Sequence, residues 1–253
     1  MILKNYPGNK QIRNIFFNMN GKLYLIPTFL SETDTGNVFP ELNQKIISSL
    51  NIFIVEELKT ARRFLRKVGF KKPFDEVTLH LLNEHTDLST IGHYLDEAEK
   101  GKDIGLFSEA GTPCIADPGS EIVKIAHKRD IRVIPLTGPS SIMLALMASG
   151  FNGQNFAFIG YLPIDKKQAA HKIKQIEKNA WQNDQTQIFI ETPYRNNRLL
   201  DILLSTCSDN TLICIASGLT SEKEFIKTLS VKEWKKQKPE FHKIPAVFLI
   251  YKN

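Results

Sequence analysis

From Lys22 onward the chain alternates short β-type runs with helix-like patterns, and this alternation restricts the fold more than any other feature, because it is the arrangement of βα units around a largely parallel sheet. The strand runs are LYLI at Leu23, IFIV at Ile52, VTLHLL at Val77, IGLF at Ile104 and IRVIPL at Ile131. Helices are predicted between them over Pro40–Leu50, Leu58–Val68, Ile91–Lys100 and Gly119–Lys128. The last has good start chemistry: Asp117 can cap free N–H groups, Pro118 suits the first helical position and Glu121 complements the dipole.

After Leu136 the segment TGPSS interrupts the pattern, and a predicted helix over Ser140–Ser149 leads into the run FAFIGYL at Phe156. The joint between two α/β domains is placed here. Beyond it come the strand TQIFIE, a helix from Tyr194, the strand TLICIAS, the run EFIKTLSV, a short basic helix over Lys232–Lys238 and the closing strand AVFLIY. Successive β runs without full helices between them imply an antiparallel element. The predicted architecture is therefore α/β, with a tail over 1–20, an N-terminal domain over 21–137 on a mainly parallel five-stranded sheet, and a C-terminal domain over 138–253 on a mixed sheet. The tail shows no clear period, and Met19 is a second possible start.

A chain of 253 residues has room for two small domains. With 42% hydrophobic and 24% charged residues it reads as globular. Cys114, Cys207 and Cys214 form no CxxC pair and have no accompanying His ladder, which argues against a disulfide framework and a zinc site. No stretch approaches the ~20 apolar residues of a membrane span, so a cytoplasmic protein without membrane contact is expected. The net charge of +6 favours polyanions by steering, although lysine-rich helix faces are also ordinary solvated surface.

Two loops concentrate the turn chemistry. SEAGTPCIADPGS, over Ser108–Ser120, follows the strand IGLF, and in open α/β sheets ligands bind at the carboxyl ends of strands. Gly111 permits a positive φ and close approach of a ligand, while Pro113 stiffens the turn. TGPSSI, over Thr137–Ile142, opens a helix whose first N–H groups can hold an anion. Each loop reads equally as a capped strand-to-helix connection. GxxxxGK[ST] and GxGxxG loops are absent, which excludes a Walker phosphate cradle and a dinucleotide fingerprint.

LYLIPT, SEAGTPCIADPG, IRVIPLTGPSS, GYLP and FIETPYR, in this order, resemble the motifs of the tetrapyrrole methylase-like superfamily of S-adenosylmethionine-dependent methyltransferases. The nearest branch is the one that 2'-O-methylates a cytidine ribose in 16S rRNA of the small subunit. The resemblance implies a two-domain α/β homodimer with S-adenosylmethionine in the cleft between domains, touching Leu30, Glu109, Gly111, Thr112, Ile115, Ser141, Ile142 and Ala216, with Glu191 also in family-like position. No metal is implied. If the acceptor is a hydroxyl, Glu109, His85 and Glu191 are the candidate proton acceptors, with His85 equally readable as a strand-end or cap histidine. Tyr194 and Arg195 are candidate substrate contacts by stacking and pairing, or else begin a helix and anchor it to a carboxylate.

Departures from that branch fall on the acceptor side. PTFLSETDTG follows the first strand where the branch has PTPIGNL, EELKTARRF follows the second, and Ser217 and Gly218 stand where an Arg-Glu pair is usual. The chain stops at Asn253 without a further helical segment. Three readings therefore stand: a methyltransferase acting on RNA, one acting on a small tetrapyrrole-like or other heterocyclic substrate, and a non-catalytic cofactor- or RNA-binding relative. The basic residues Arg62, Arg63, Arg66, Lys67, Lys71 and Lys72 favour RNA if they border the donor pocket.

Overall fold

A computed structural model describes residues 20–31 and 39–252. The expected tail, apart from Asn20, and the alternative start at Met19 lie outside the described residues, as does the stretch 32–38 of the segment after the first strand.

The first sheet has strands β1 (Lys22–Leu25), β2 (Ile52–Val55), β3 (Thr78–Leu81), β4 (Ile104–Phe107) and β5 (Arg132–Pro135). Their order is β3-β2-β4-β1-β5 and every pairing is parallel. The continuous apolar runs IFIV and IGLF form β2 and β4, both wholly buried, as interior strands of a sheet covered on both faces must be. Helices α1 (Glu41–Ser49) and α2 (Leu58–Lys67) cover one face through Ile47, Phe64 and Leu65. Helices α3 (Asp96–Glu99) and α4 (Gly119–Lys128) cover the other through Ala98, Ile122 and Ala126. The helix expected over Ile91–Lys100 is instead a 3₁₀ turn over Ile91–Leu95 followed by the single turn α3, which ends at Gly101 with φ +87°.

The second sheet follows α5 (Ser141–Ser149) and comprises β6 (Phe156–Tyr161), β7 (Thr186–Glu191), β8 (Leu212–Ser217), β9 (Phe225–Ser230) and β10 (Ala246–Tyr251) in the order β6-β7-β10-β8-β9. Only β6 and β7 pair in parallel. Helix α5 packs on one face through Ile142, Ala145 and Leu146. Helices α6 (Lys166–Gln182) and α7 (Asn196–Thr206) pack on the other.

Helix α6, which the sequence reading did not anticipate, starts where Asp165 accepts the Lys167 and Gln168 N–H groups, and buries a narrow stripe of Ala169, Ile173, Ile176 and Ala180. Each of its two buried isoleucines contributes about 1.5–3 kcal/mol. The short basic helix is confined to α8 (Val231–Trp234), whose Ser230 and Glu233 form a capping box. Among the described residues, no helix is long and apolar enough to cross a membrane.

Strand order positions the site. β4 lies between β2 and β1, and β5 flanks β1, so the segments leaving the carboxyl ends of four adjacent strands emerge side by side at one edge, the place where α/β sheets bind ligands.

Candidate functional site

Those segments line one side of a cavity of about 380 Å³, and the second sheet lines the other. The volume lies in the range of small-molecule and cofactor sites. The segment after β4 is held in place by the Thr28 N–H, which donates to the Gly111 carbonyl at 2.8 Å. Gly111 has φ +75°, a conformation that favours glycine, and a Cβ built on it would stand 3.0 Å from the Leu30 side chain, which would have to shift. Cys114 and Ala116 also have positive φ, 69° and 65°. Such strain, of about 1–3 kcal/mol per residue, is typical of ligand-binding loops. Asp117 Oδ1 then accepts the Gly119 N–H at 2.7 Å where α4 begins. In the second loop a Cβ on Gly138 would meet Pro27 at 2.2 Å, and Ser140 caps α5 by accepting the Met143 N–H. The first residues of α5, Ser141 and Ile142, thereby face the cavity with the amino end of the helix.

All eight residues that the resemblance assigned to the cofactor line this cavity: Leu30, Glu109, Gly111, Thr112, Ile115, Ser141, Ile142 and Ala216. Glu191 lines it too, with its side chain 6% exposed. Its Oε1 accepts the Thr192 N–H at 2.6 Å and both Nε and an Nη of Arg195, at 2.9 and 2.5 Å. Arg195 precedes α7 and is tied to a carboxylate, the second of its two sequence readings. Tyr194 is 70% exposed beside His242 and Lys243, outside the lining. His85 is also apart from the lining: it sits in the turn after β3 with its side chain 84% exposed, its Nε2 3.5 Å from Glu84.

Among the polar residues of the cavity, Glu56 and Tyr161 were not singled out in the sequence, and Ser108 entered only as the first residue of the loop after β4. Glu56 directly follows β2, so the rule that selected the segment after β4 applies to it equally. Its Oε2 accepts the Glu109 N–H at 3.1 Å. Burial, then the charges of Glu109, Asp117 and Glu84, raise its pKa against the lowering effect of that hydrogen bond. Burial likewise raises Asp117, despite its backbone hydrogen bonds. Tyr161 reaches the cavity through a register shift between Phe158 and Tyr161, next to Gly160 with φ +76°. Burial followed by Glu56 and Glu191 raises its hydroxyl. The Ser108 hydroxyl is buried beside the Asp117 carboxylate. Burial pushes the nearby Cys114 thiol up to about 12, which leaves it protonated and without nucleophilic use.

Among the described residues the lining contains four carboxylates, Glu56, Glu109, Asp117 and Glu191, and no lysine, arginine or histidine. It is suited to a cationic ligand and unsuited to a polyphosphate. Gly218 and Leu219 close one wall; Gly218 has φ +58° and a Cβ there would meet the Lys223 carbonyl at 2.8 Å. The segment after β8 is thus a tight glycine turn where the related branch carries charges. Ser31 Oγ lies 3.2 Å from the Thr220 carbonyl and joins this turn to the segment after β1.

Helix α2 starts at the rim. Glu57 accepts the Lys59 and Thr60 N–H groups, and Thr60 Oγ1 donates to Glu109 Oε1 at 3.4 Å. Its inner side is Ala61, Phe64 and Leu65, while Lys59, Arg62 and Arg63 are exposed. Lys72 bonds the Ser49 and Leu50 carbonyls at the end of α1, and Arg66 bonds the Phe70 and Lys72 carbonyls and stacks on Phe74. Arg62 and Lys71 have no carboxylate partner among the described residues. Some surface cations elsewhere do, as in Lys45–Glu41, Lys124–Glu121 and Lys235–Asp209.

Two sheets flank a glycine- and proline-lined chamber, with loops from four parallel strands on one wall. The sequence model of the tetrapyrrole (corrin/porphyrin) methylases matches residues 44–234; the chain belongs to that family and is a methyltransferase. It is 29% identical over 239 residues to a protein of Buchnera aphidicola named ribosomal RNA small subunit methyltransferase I, covering 92% of this chain and 79% of that one. It is 28% identical, with the same coverage, to a Haemophilus influenzae protein of the same name. Among solved structures it is similar to the methyltransferase CobJ, with a TM-score of 0.61 at 18% identity over 92% of this chain and 94% of that one. Uroporphyrin III C-methyltransferase from Thermus thermophilus gives 0.56 at 14% identity over 91% and 97%.

Proposed function

We propose that the protein transfers a methyl group from S-adenosylmethionine to a ribose 2'-hydroxyl of small-subunit ribosomal RNA. The observation that supports this most is the pairing of an acidic chamber with a cationic helix at its rim. When bound, S-adenosylmethionine supplies an activated methyl group on a positively charged sulfur. Glu109 provides an acceptor for its cationic and hydroxyl groups. Its carboxylate fits the amino end of α5 at Ser141 and Ile142. Gly111 lets the backbone come close. Orientation of donor and acceptor and exclusion of water supply most of the acceleration in such a displacement.

The names of the Buchnera and Haemophilus relatives favour ribosomal RNA as the acceptor. So do Arg62 on α2 and Lys71 after it, because cations with no carboxylate partner among the described residues are available to phosphates. A tetrapyrrole acceptor would call for an apolar approach instead. The same proposal places the enzyme in the cytoplasm and, following the family resemblance, as a homodimer, which light scattering of the purified protein tests. The function is tested by incubating small subunits from a strain lacking the protein with labelled donor and mapping the product. One labelled ribose is expected. Unlabelled subunits alongside a methylated small heterocycle would overturn the RNA reading and leave the methyltransferase class standing.

A further inference from the structure

We propose that Glu56 is a catalytic residue: its carboxylate accepts the proton of the acceptor hydroxyl as that oxygen takes the methyl group. The inference rests on the hydroxyl acceptor of the preceding reading. In the step the methyl carbon's bond to sulfur breaks and its bond to the ribose oxygen forms. The sulfonium becomes a neutral thioether, and the hydroxyl proton passes to Glu56 and then to water, so that charge and atoms balance.

Four carboxylates reach the cavity, and their surroundings separate them. Glu191 is held through Oε1 by Thr192 and the Arg195 guanidinium, so protonating it would break an ion pair. Asp117 has one oxygen on the Gly119 N–H, and its Oδ2 is shielded from solvent. Glu109 is exposed at the rim, where Thr60 donates to it. Glu56 alone combines partial burial, a fixed orientation and a rigid base. It stands at the end of the interior strand β2, and the Glu109 N–H holds its Oε2. That leaves Oε1 with no hydrogen bond among the described residues.

The charged and titratable groups facing Glu56 are Glu109 and Asp117 from the segment after β4, Glu84 from the turn after β3, and Tyr161 from β6 across the cavity. No cation is among them. An acidic neighbourhood and partial desolvation both strengthen a base, in the direction that general-base catalysis near neutral pH needs.

The test compares wild type with Glu56→Gln and Glu56→Asp, reading donor affinity, methyl transfer to small subunits and the pH dependence of kcat/KM. A glutamine oxygen can still accept the Glu109 N–H, so the fold and donor affinity are expected to persist within about threefold. Transfer is expected to fall about 100-fold or more, the usual worth of a positioned base. The wild-type rate should decline with acid at a pH above the ordinary glutamate range, a limb that Glu56→Gln lacks and Glu56→Asp keeps. Transfer by Glu56→Gln within threefold of wild type with an unchanged pH limb would overturn the proposal. A drop in donor affinity of tenfold or more would overturn it too, by assigning Glu56 to donor binding. Wild-type protein that binds donor yet leaves the subunits unlabelled would remove the RNA reading and this proposal together.

Discussion

The cavity and the outer side of α2 meet at the Thr60–Glu109 contact, and they carry opposite charge. Among the described residues the chamber has four carboxylates and no basic residue, while α2 presents Arg62 and Arg63, and Lys71 follows it, at an exposed surface. A protein with net charge +6 thus keeps its ligand chamber negative. Overall charge therefore describes what a protein attracts from a distance, and local charge describes what it holds. The two regions also differ in rigidity: glycines and strained residues at positive φ build the chamber, whereas long side chains on a regular helix build the rim and can follow an irregular polyanion.

Breaking the chamber should produce the largest effect. Gly111→Val places a β-branched side chain at φ +75° and against Leu30, so donor affinity is expected to drop by more than about 100-fold with the fold retained by circular dichroism. Normal calorimetric binding by this variant would remove Gly111 from the donor site.

The rim is broken next. Arg62→Glu combined with Lys71→Glu should weaken binding to small subunits by about 10–100-fold and reduce the salt slope by about 2, one for each lost phosphate contact, at unchanged donor affinity. A variant that loses donor and subunit affinity together would show that the regions act as one.

Glu191 sharpens the boundary between binding and structure. Glu191→Gln strands the Arg195 guanidinium, which is only 28% exposed, so a stability loss of about 2–3 kcal/mol is expected as a lower urea midpoint at constant m. An unchanged midpoint would free Glu191 for a purely ligand-directed role.

The smallest effect belongs to the contact between the regions. Thr60→Val removes a long 3.4 Å hydrogen bond to Glu109, and both affinities should change by less than about threefold. A larger change in either would make Thr60 a coupling element.

The parallel sheet was legible in sequence because interior strands such as IFIV and IGLF are continuous apolar runs bounded by turn residues. Both glycine–proline loops were legible for a related reason: Gly111 takes a positive φ that favours glycine, and Gly138 leaves no room for a Cβ against Pro27. Helix α6 was not, since two of the four residues in its buried stripe are alanines and its lysine-rich exposed side reads as generic surface. Glu56 and Tyr161 were missed for want of three-dimensional information. Glu56 reaches the cavity because β4 intervenes between β1 and β2 in the sheet, and Tyr161 because the β6 register shifts beside Gly160. Neither strand order nor register is written in local periodicity. His85 drew attention as a chemistry-bearing residue in a family-like position, but the edge strand β3 ends in a turn that leaves it in solvent.

The most direct measurement of the opposed-charge account is the affinity of one preparation for S-adenosylmethionine and for small ribosomal subunits, each determined from about 50 to about 200 mM KCl. With about four phosphates neutralised, subunit affinity should fall roughly 100-fold over that range, whereas donor affinity, set within the chamber, should change by less than about threefold. Subunit binding insensitive to salt, or a parallel fall in both affinities, would contradict the separation of an acidic donor chamber from a cationic RNA-facing rim.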